Sequence, residues 1–315
     1  MPNKALGVLF PVTLALLAGP ALAAPQVVAT IKPLHSLVAG VMEGVGAPQL
    51  LVEGAASPHG FSMRPSDAAK LEGADLVFWI GEGLETFLAG PLDTLAADAT
   101  AVEMMAVEGI EVLPLREGGL FEAHEHGDEE HDHDHDHEHD HDHEHGDAHI
   151  WLDPGNARLM VAAIADALIA ADPDNAETYD ANGRALAVRL DTLAADIGAR
   201  LEPARGKPFF VFHDAYHAFE HSFDIEAAGS FTVNPEIAPG AGRLTEIRAV
   251  VAETGAACLF AEPQFSPQVI GTVAEGTGAK IGTLDPLGAD IADGPDLYFT
   301  LIETLAASLL DCLAD

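Results

Sequence analysis

Positive charge is scarce in this chain. Fourteen Lys and Arg stand against 51 Asp and Glu, a formal net charge of −37 at pH 7. Thirteen of the carboxylates fall within residues 122–147, where no Lys or Arg occurs, and the remainder still sets 38 acids against 14 bases. Nucleic acid needs a basic face to neutralise its phosphates and is excluded as a partner class. The acid surplus suits a soluble chain that attracts cations in general and selects none of them. Cysteine is nearly absent: there are two, Cys258 and Cys312. In an oxidising compartment such a pair reads as one disulfide, the alternative being two buried free thiols. Beyond the N-terminus, no apolar run is expected to reach the ~18 residues of a membrane span. Outside the histidine-rich stretch, the HExxH signature of a zinc hydrolase is also missing.

The first segment has targeting anatomy. Lys4 precedes an apolar run over 5–17, and small residues at 21–25 (ALAAP) offer a cleavage site. Residues 1–24 therefore read as a signal peptide. No Cys lies near the cleavage site to accept a lipid, so a freely diffusing periplasmic protein is expected. About 290 mature residues exceed the usual size of one domain and predict two lobes.

Short apolar strands alternate with amphipathic helices. The first half offers QVVATI (26–31), QLLVE (49–53) and DLVFWI (75–80), with a helix over 65–73. The second offers PFFVFH (208–213), ACLFAE (257–262) and AKIGTL (279–284), with helices over 242–254 and 267–276. This rhythm predicts an α/β fold with parallel sheets covered on both faces. Between the halves, 155–202 reads as helical and is broken at AADPDNAET (170–178), where Asp172 or Asp174 is available to cap the second segment. That segment would span ~40 Å and could cross from one lobe to the other. The expected boundaries are an N-terminal lobe at 25–155, a connecting helical region at 156–205 and a C-terminal lobe at 206–315.

Ten of the 16 histidines are crowded into one stretch: His124, His126, His131, His133, His135, His137, His139, His141, His143 and His145. Imidazole alternating with carboxylate cannot build a core, so 122–147 reads as a disordered loop. Both groups ligate divalent first-row metals, which predicts many weak overlapping sites. A flexible loop loses ordering entropy on binding and is poorly suited to be the sole tight site, but it can raise local metal concentration as an accessory.

Rigid ligands are therefore sought among the other six. His59 follows the second strand, His149 opens HIWLDP directly after the histidine-rich stretch, and His213 ends PFFVFH. Ligands of open parallel sheets gather beyond the carboxyl ends of strands. Asp285, in GTLDPLG, also ends a strand; three imidazoles and one carboxylate would complete a tetrahedral zinc shell. His217 and His221 follow His213 at intervals of four and read as a packed or solvated helix face. His35 reads as structural.

SPHGFSMRPSD (57–67), HIWLDP (149–154), FHDAYHAFE (212–220) and GTLDPLG (282–288), in that order, resemble the metal-specific solute-binding proteins of ABC importers, cluster A-I. The likeness is nearest to the zinc receptors of that family, covers essentially the whole mature chain, and includes the acidic His-rich loop and the terminal cysteine pair. It implies two βα lobes joined by a long backbone helix, with metal at their interface, and ligands at His59, His149 and His213. Manganese-selective relatives carry a carboxylate where His213 stands, and imidazole suits zinc. Some zinc receptors use an acid before the first histidine; here that position is Pro58. The fourth place falls to Asp285 or to water. The implied activity is capture of Zn2+ by a monomer and delivery to an ABC permease in the inner membrane, without catalysis; a periplasmic metallochaperone is a further candidate partner. A manganese or nickel receptor, a zinc storage or buffering protein and a zinc hydrolase are the rival readings.

Overall fold

The structure is a computed structural model that describes residues 24–116, 121, 146–232, 235–237 and 239–313. Residues 1–23, most of the expected signal peptide, and all ten histidines of the 124–145 stretch lie outside the described residues.

The first half contains β1 (Val27–Ala29), α1 (Lys32–Val41), β2 (Gln49–Leu50), α2 (Pro65–Glu72), β3 (Leu76–Trp79), α3 (Ala89–Thr94) and β4 (Thr100–Glu103). Two long helices follow, α4 (Pro154–Ala171) and α5 (Ala176–Leu201). The second half contains β5 (Phe209–His213), α6 (His217–Phe223), β6 (Gly229–Thr232), α7 (Ala241–Thr254), β7 (Cys258–Ala261), α8 (Gln268–Ala274), β8 (Lys280–Thr283) and α9 (Leu297–Leu313). The strands form two four-stranded sheets, ordered β2-β1-β3-β4 and β6-β5-β7-β8. Every pairing is parallel, and the second sheet repeats the topology of the first.

The apolar runs form these strands because both of their faces are covered. Val27, Ala29, Leu76, Phe78, Phe209, Val211, Cys258 and Phe260 face one central core. Their neighbours Val28, Val77 and Trp79 face an outer cluster of the first lobe. Phe210, Phe212, Leu259 and Ala261 do the same in the second lobe. The central core also holds residues of α1, α4, α5 and α9, so one apolar cluster runs through both lobes. β4 and β6 were not evident in the sequence. TAVE lies at a sheet edge and is half exposed, and GSFT is buried without forming an apolar run. β2 is shorter than expected, yet its pairing continues through Leu51 N–H to Ala29 O at 3.0 Å and Val52 N–H to Thr30 O at 2.8 Å.

α4 starts where HIWLDP places it, with Pro154 in its first turn and the Asp153 carboxylate accepting from Gly155 N–H at 2.7 Å. Contrary to expectation, α4 is long and apolar enough by composition to cross a membrane. It is instead packed against α5, with Met160, Val161, Ile164 and Leu168 in the central core. Gly183 permits the close approach, since a Cβ there would stand 3.3 Å from that of Ala165. Neither expected acid caps α5: Asn175 holds the cap position, and Asp172 accepts instead from Asn175 Nδ2 and the Tyr179 hydroxyl.

α5 buries Tyr179, Gly183, Leu186, Leu190, Leu193, Ile197 and Leu201, a stripe in steps of three and four residues. Its N-terminal half lies on α1, where Asn182 Nδ2 donates to Val41 O and Glu43 O. Its C-terminal half reaches the second lobe, where Gly198 meets Phe223 of α6. α9 also joins the halves. Its Tyr298 N–H donates to Ser36 Oγ of α1 at 2.9 Å, and Cys312 is disulfide-bonded to Cys258 of β7.

Two stability experiments follow from these contacts. The disulfide closes a loop across 54 positions, and its reduction is expected to lower the unfolding free energy by about 2–5 kcal/mol in urea melts with and without a thiol reductant. Glu85 is fully buried, accepting from Ile80 N–H at 2.8 Å and Gly81 N–H at 3.1 Å. Burial pushes its carboxyl up to about 7, opposed by the Thr30 hydroxyl and the two amides and reinforced by the Glu103 charge. Between the unfolded value of about 4.3 and about 7, the folded chain keeps a proton that the unfolded chain releases. This group's stabilisation is thus complete at low pH and is lost as pH rises through about 7. Glu85→Gln is expected to flatten the fall in stability between pH 5 and pH 8, by up to about 3 kcal/mol; an unchanged slope would refute the assignment.

Candidate metal centre

The connection after β2, the carboxyl end of β5 and the turn leading into α4 converge between the lobes. His59 stands in the connection from β2 to α2, His149 opens the turn leading into α4, and His213 is the last residue of β5. The ligand atoms of all three lie within 4.8 Å of one another. His59 Nε2 is 3.3 Å from His149 Nε2, which is 3.3 Å from His213 Nε2. With Zn–N bonds of 2.0–2.1 Å, two vertices of a tetrahedral shell are about 3.3–3.4 Å apart. The imidazoles therefore stand at the spacing of one ion's ligands.

Two of the rings are fixed from behind. Asp147 Oδ1 is 2.7 Å from His149 Nδ1 and also accepts the His149 backbone N–H at 3.0 Å. Glu262, just past β7, brings Oε1 to 2.7 Å from His213 Nδ1 and 3.3 Å from its backbone N–H. A carboxylate at Nδ1 requires that nitrogen to carry the proton, which leaves the Nε2 lone pair facing the site. Burial alone would raise the Asp147 carboxyl, but the attraction and hydrogen bonds of His149 outweigh it and hold it below the usual carboxylate range. His59 is half-buried. Burial, then the neighbouring His149 and His213, hold its imidazole well below the ordinary histidine value, in the neutral form that ligates metal.

The pocket is walled by Ser57, Pro58, Trp151, Gln264, Phe265, Pro286 and Leu287. Trp151 Nε1 donates to Pro286 O at 2.9 Å, tying the turn after His149 to the second lobe. On another flank the Arg116 guanidinium pairs with Asp214, adjacent to His213, and with Glu220 of α6.

Asp285, the expected fourth ligand, is not brought into the cluster. Its Oδ1 accepts from Leu287 N–H and Gly288 N–H at 3.0 Å and from Gln264 Nε2 at 2.7 Å, and its Oδ2 accepts from Ala289 N–H at 2.5 Å. His35 is buried, with Nε2 3.1 Å from Pro48 O, as expected of a structural residue. His217 and His221 lie on α6 outside the cluster, and His221 is exposed, 3.6 Å from Glu111 Oε1. Gly146 and Asp147, expected within the histidine-rich loop, make defined contacts. Gly146 bridges Pro114, and Asp147 is buried, donating its N–H to Leu113 O at 2.8 Å. Asp147, Glu262, Trp151 and Arg116 were missed. Asp147 carried a readable signal, an acid two residues before a ligand histidine, and Glu262 closes an apolar strand on a charge.

The sequence matches the model of the family described as "Zinc-uptake complex component A periplasmic" over residues 27–312. It is 50% identical over 305 residues to the high-affinity zinc uptake system protein ZnuA of Brucella suis, covering 91% of each chain. It is 40% identical over 294 residues to the protein of that name from Yersinia pestis, covering 93% of this chain and 92% of the relative. A crystal structure of ZnuA shares the fold with a TM-score of 0.75 at 23% identity, covering 92% of this chain and all of that one. With the three-histidine cluster lying inside the matched span, this chain belongs to the family of periplasmic zinc-uptake complex component A, the ZnuA family.

Proposed function

We propose that this protein captures a zinc ion in the periplasm and delivers it to an ABC permease of the inner membrane. The observation that carries the reading is the convergence of three Nε2 atoms in 3.3 Å steps, with two of the rings held at Nδ1 by buried carboxylates. Imidazole donors suit zinc over manganese. His59, His149 and His213 are the ligands. Asp285 serves the site by knitting the 285–289 turn through the amides of Leu287, Gly288 and Ala289. The fourth position is taken by water, and Asp285 enters it only by giving up those amides. Zinc is cargo here. Both carboxylates beside the site are engaged with imidazole, and among the described residues no carboxylate joins the ligand cluster to act as a base on bound water. The chain acts as a monomer, released by cleavage of residues 1–24 and without a lipid anchor. The histidines of 124–145 are accessory zinc collectors that load the cleft.

Zinc titration calorimetry tests the assignment. The intact chain is expected to show one tight site above a set of weak ones. Deleting 122–145, which spares Asp147, is expected to remove the weak sites and keep the tight one. His149→Ala or His213→Ala is expected to abolish the tight site while the fold, read by circular dichroism, persists. Loss of the tight site on deletion alone would sink the proposal.

The carboxylates behind the rings have a distinct signature. Glu262→Gln is expected to weaken zinc binding by about 10–100-fold. Asp285→Asn, which can still accept from the turn amides, is expected to change it by less than about 10-fold; a loss equal to that of His213→Ala would make Asp285 a ligand.

A further inference from the structure

The segment from Asp285 to Asp293 belongs to the second lobe by sequence and is held there by Gln264, yet it is also fastened to the first lobe. It supplies Pro286 and Leu287 to the wall of the zinc pocket. Trp151 Nε1 holds it at Pro286 O. Farther along, Lys32, at the start of α1, reaches across the lobes. Its Nζ donates to Ala289 O at 3.1 Å and Ile291 O at 2.8 Å, and pairs with Asp293 Oδ1 at 3.2 Å. An ammonium has three N–H donors, and here each has an acceptor on the same segment. Lys32 is only 5% exposed, and a charge so far out of water is tolerated only while it is paired. Asp285 makes the segment rigid, since its carboxylate gathers the amides of 287–289. The wall over the imidazoles is thereby tied into one piece, which Trp151 holds at Pro286 and Lys32 holds at its far end.

We propose that Lys32 is a positioning residue for metal retention: by clamping 285–293 to the first lobe it keeps Pro286 and Leu287 over the three imidazoles and sets the rate at which zinc leaves. The inference rests on the zinc-receptor reading. It assigns to Lys32 no contact with the metal. The clamp acts on the wall and not on the ligands, so it governs departure more than arrival.

Stopped-flow release of zinc into excess chelator, followed through the fluorescence of Trp151, whose ring centroid lies 5.2 Å from that of His149, reads the cleft apart from the histidine-rich stretch. The full chain is used throughout. Lys32→Met is expected to accelerate the slow release phase by about 10-fold or more, with association changed far less. Lys32→Arg, which keeps charge and donors, is expected to restore most of the retention. Asp293→Ala removes only the half-exposed partner and is expected to give a smaller acceleration, about 2-fold, that disappears at high salt. Release unchanged in Lys32→Met overturns the proposal, as does a slowing of association equal to the gain in release, which would mark general loosening. If Lys32→Met does not fold, Asp293→Ala decides, and wild-type release in that variant overturns it. A wild-type chain with no slow phase refutes the zinc reading itself, and this is read before any variant is compared.

Discussion

Imidazoles whose Nε2 atoms crowd within 3.3 Å of one another do not assemble unaided, and two of the three are held in place from behind. Here the holding is done at Nδ1. Asp147 and Glu262 each spend one oxygen on both the ring and the backbone N–H of their histidine, which sets ring orientation and chain position together. The carboxylates are useful only if they are themselves immovable. Asp147 is tied through its backbone to Leu113, and Glu262 follows directly on a central strand of the second sheet. On the His213 side the metal centre is thus an extension of the second sheet and inherits its rigidity.

That rigidity comes from the shared core. α5 lies on α1 at one end and on α6 at the other, while α9 returns from the second lobe to bond with Ser36 of the first. Lobes that bury one apolar cluster in common cannot swing as independent bodies, because opening would expose side chains such as Tyr298, Ile302 and Leu190 that are fully covered. Movement is therefore expected in the segments around the cleft, where polar contacts fasten the wall, and less in the relation of sheet to sheet.

Much of this was legible in the residues. Apolar runs located the two-faced strands, and His213 at the end of one of them pointed to the ligands, because parallel sheets put chemistry at strand ends. The alternating lobes and the crossing helix followed from periodicity. What escaped had physical reasons. β4 needs little apolar character because it lies at an edge, and GSFT is covered by the helices around it. Glu262 meets His213 across 49 positions, a pairing that only the register of β5 with β7 creates. Asp285 was read for its charge, although Asp-Pro-Leu-Gly is also a turn sequence in which the acid collects backbone amides. The turn chemistry accounts for what the carboxylate does in the structure.

The antiparallel bridge between Pro114 and Gly146 has a consequence for how such a chain can vary. Leu113 O receives the Asp147 N–H directly beside it, so the polypeptide is pinched shut on either side of the histidine-rich stretch. Residues added or lost between the two anchors need not shift any strand or reorient any ligand. The strands and ligands therefore set no length for that stretch, while His149 stays in register a few residues downstream.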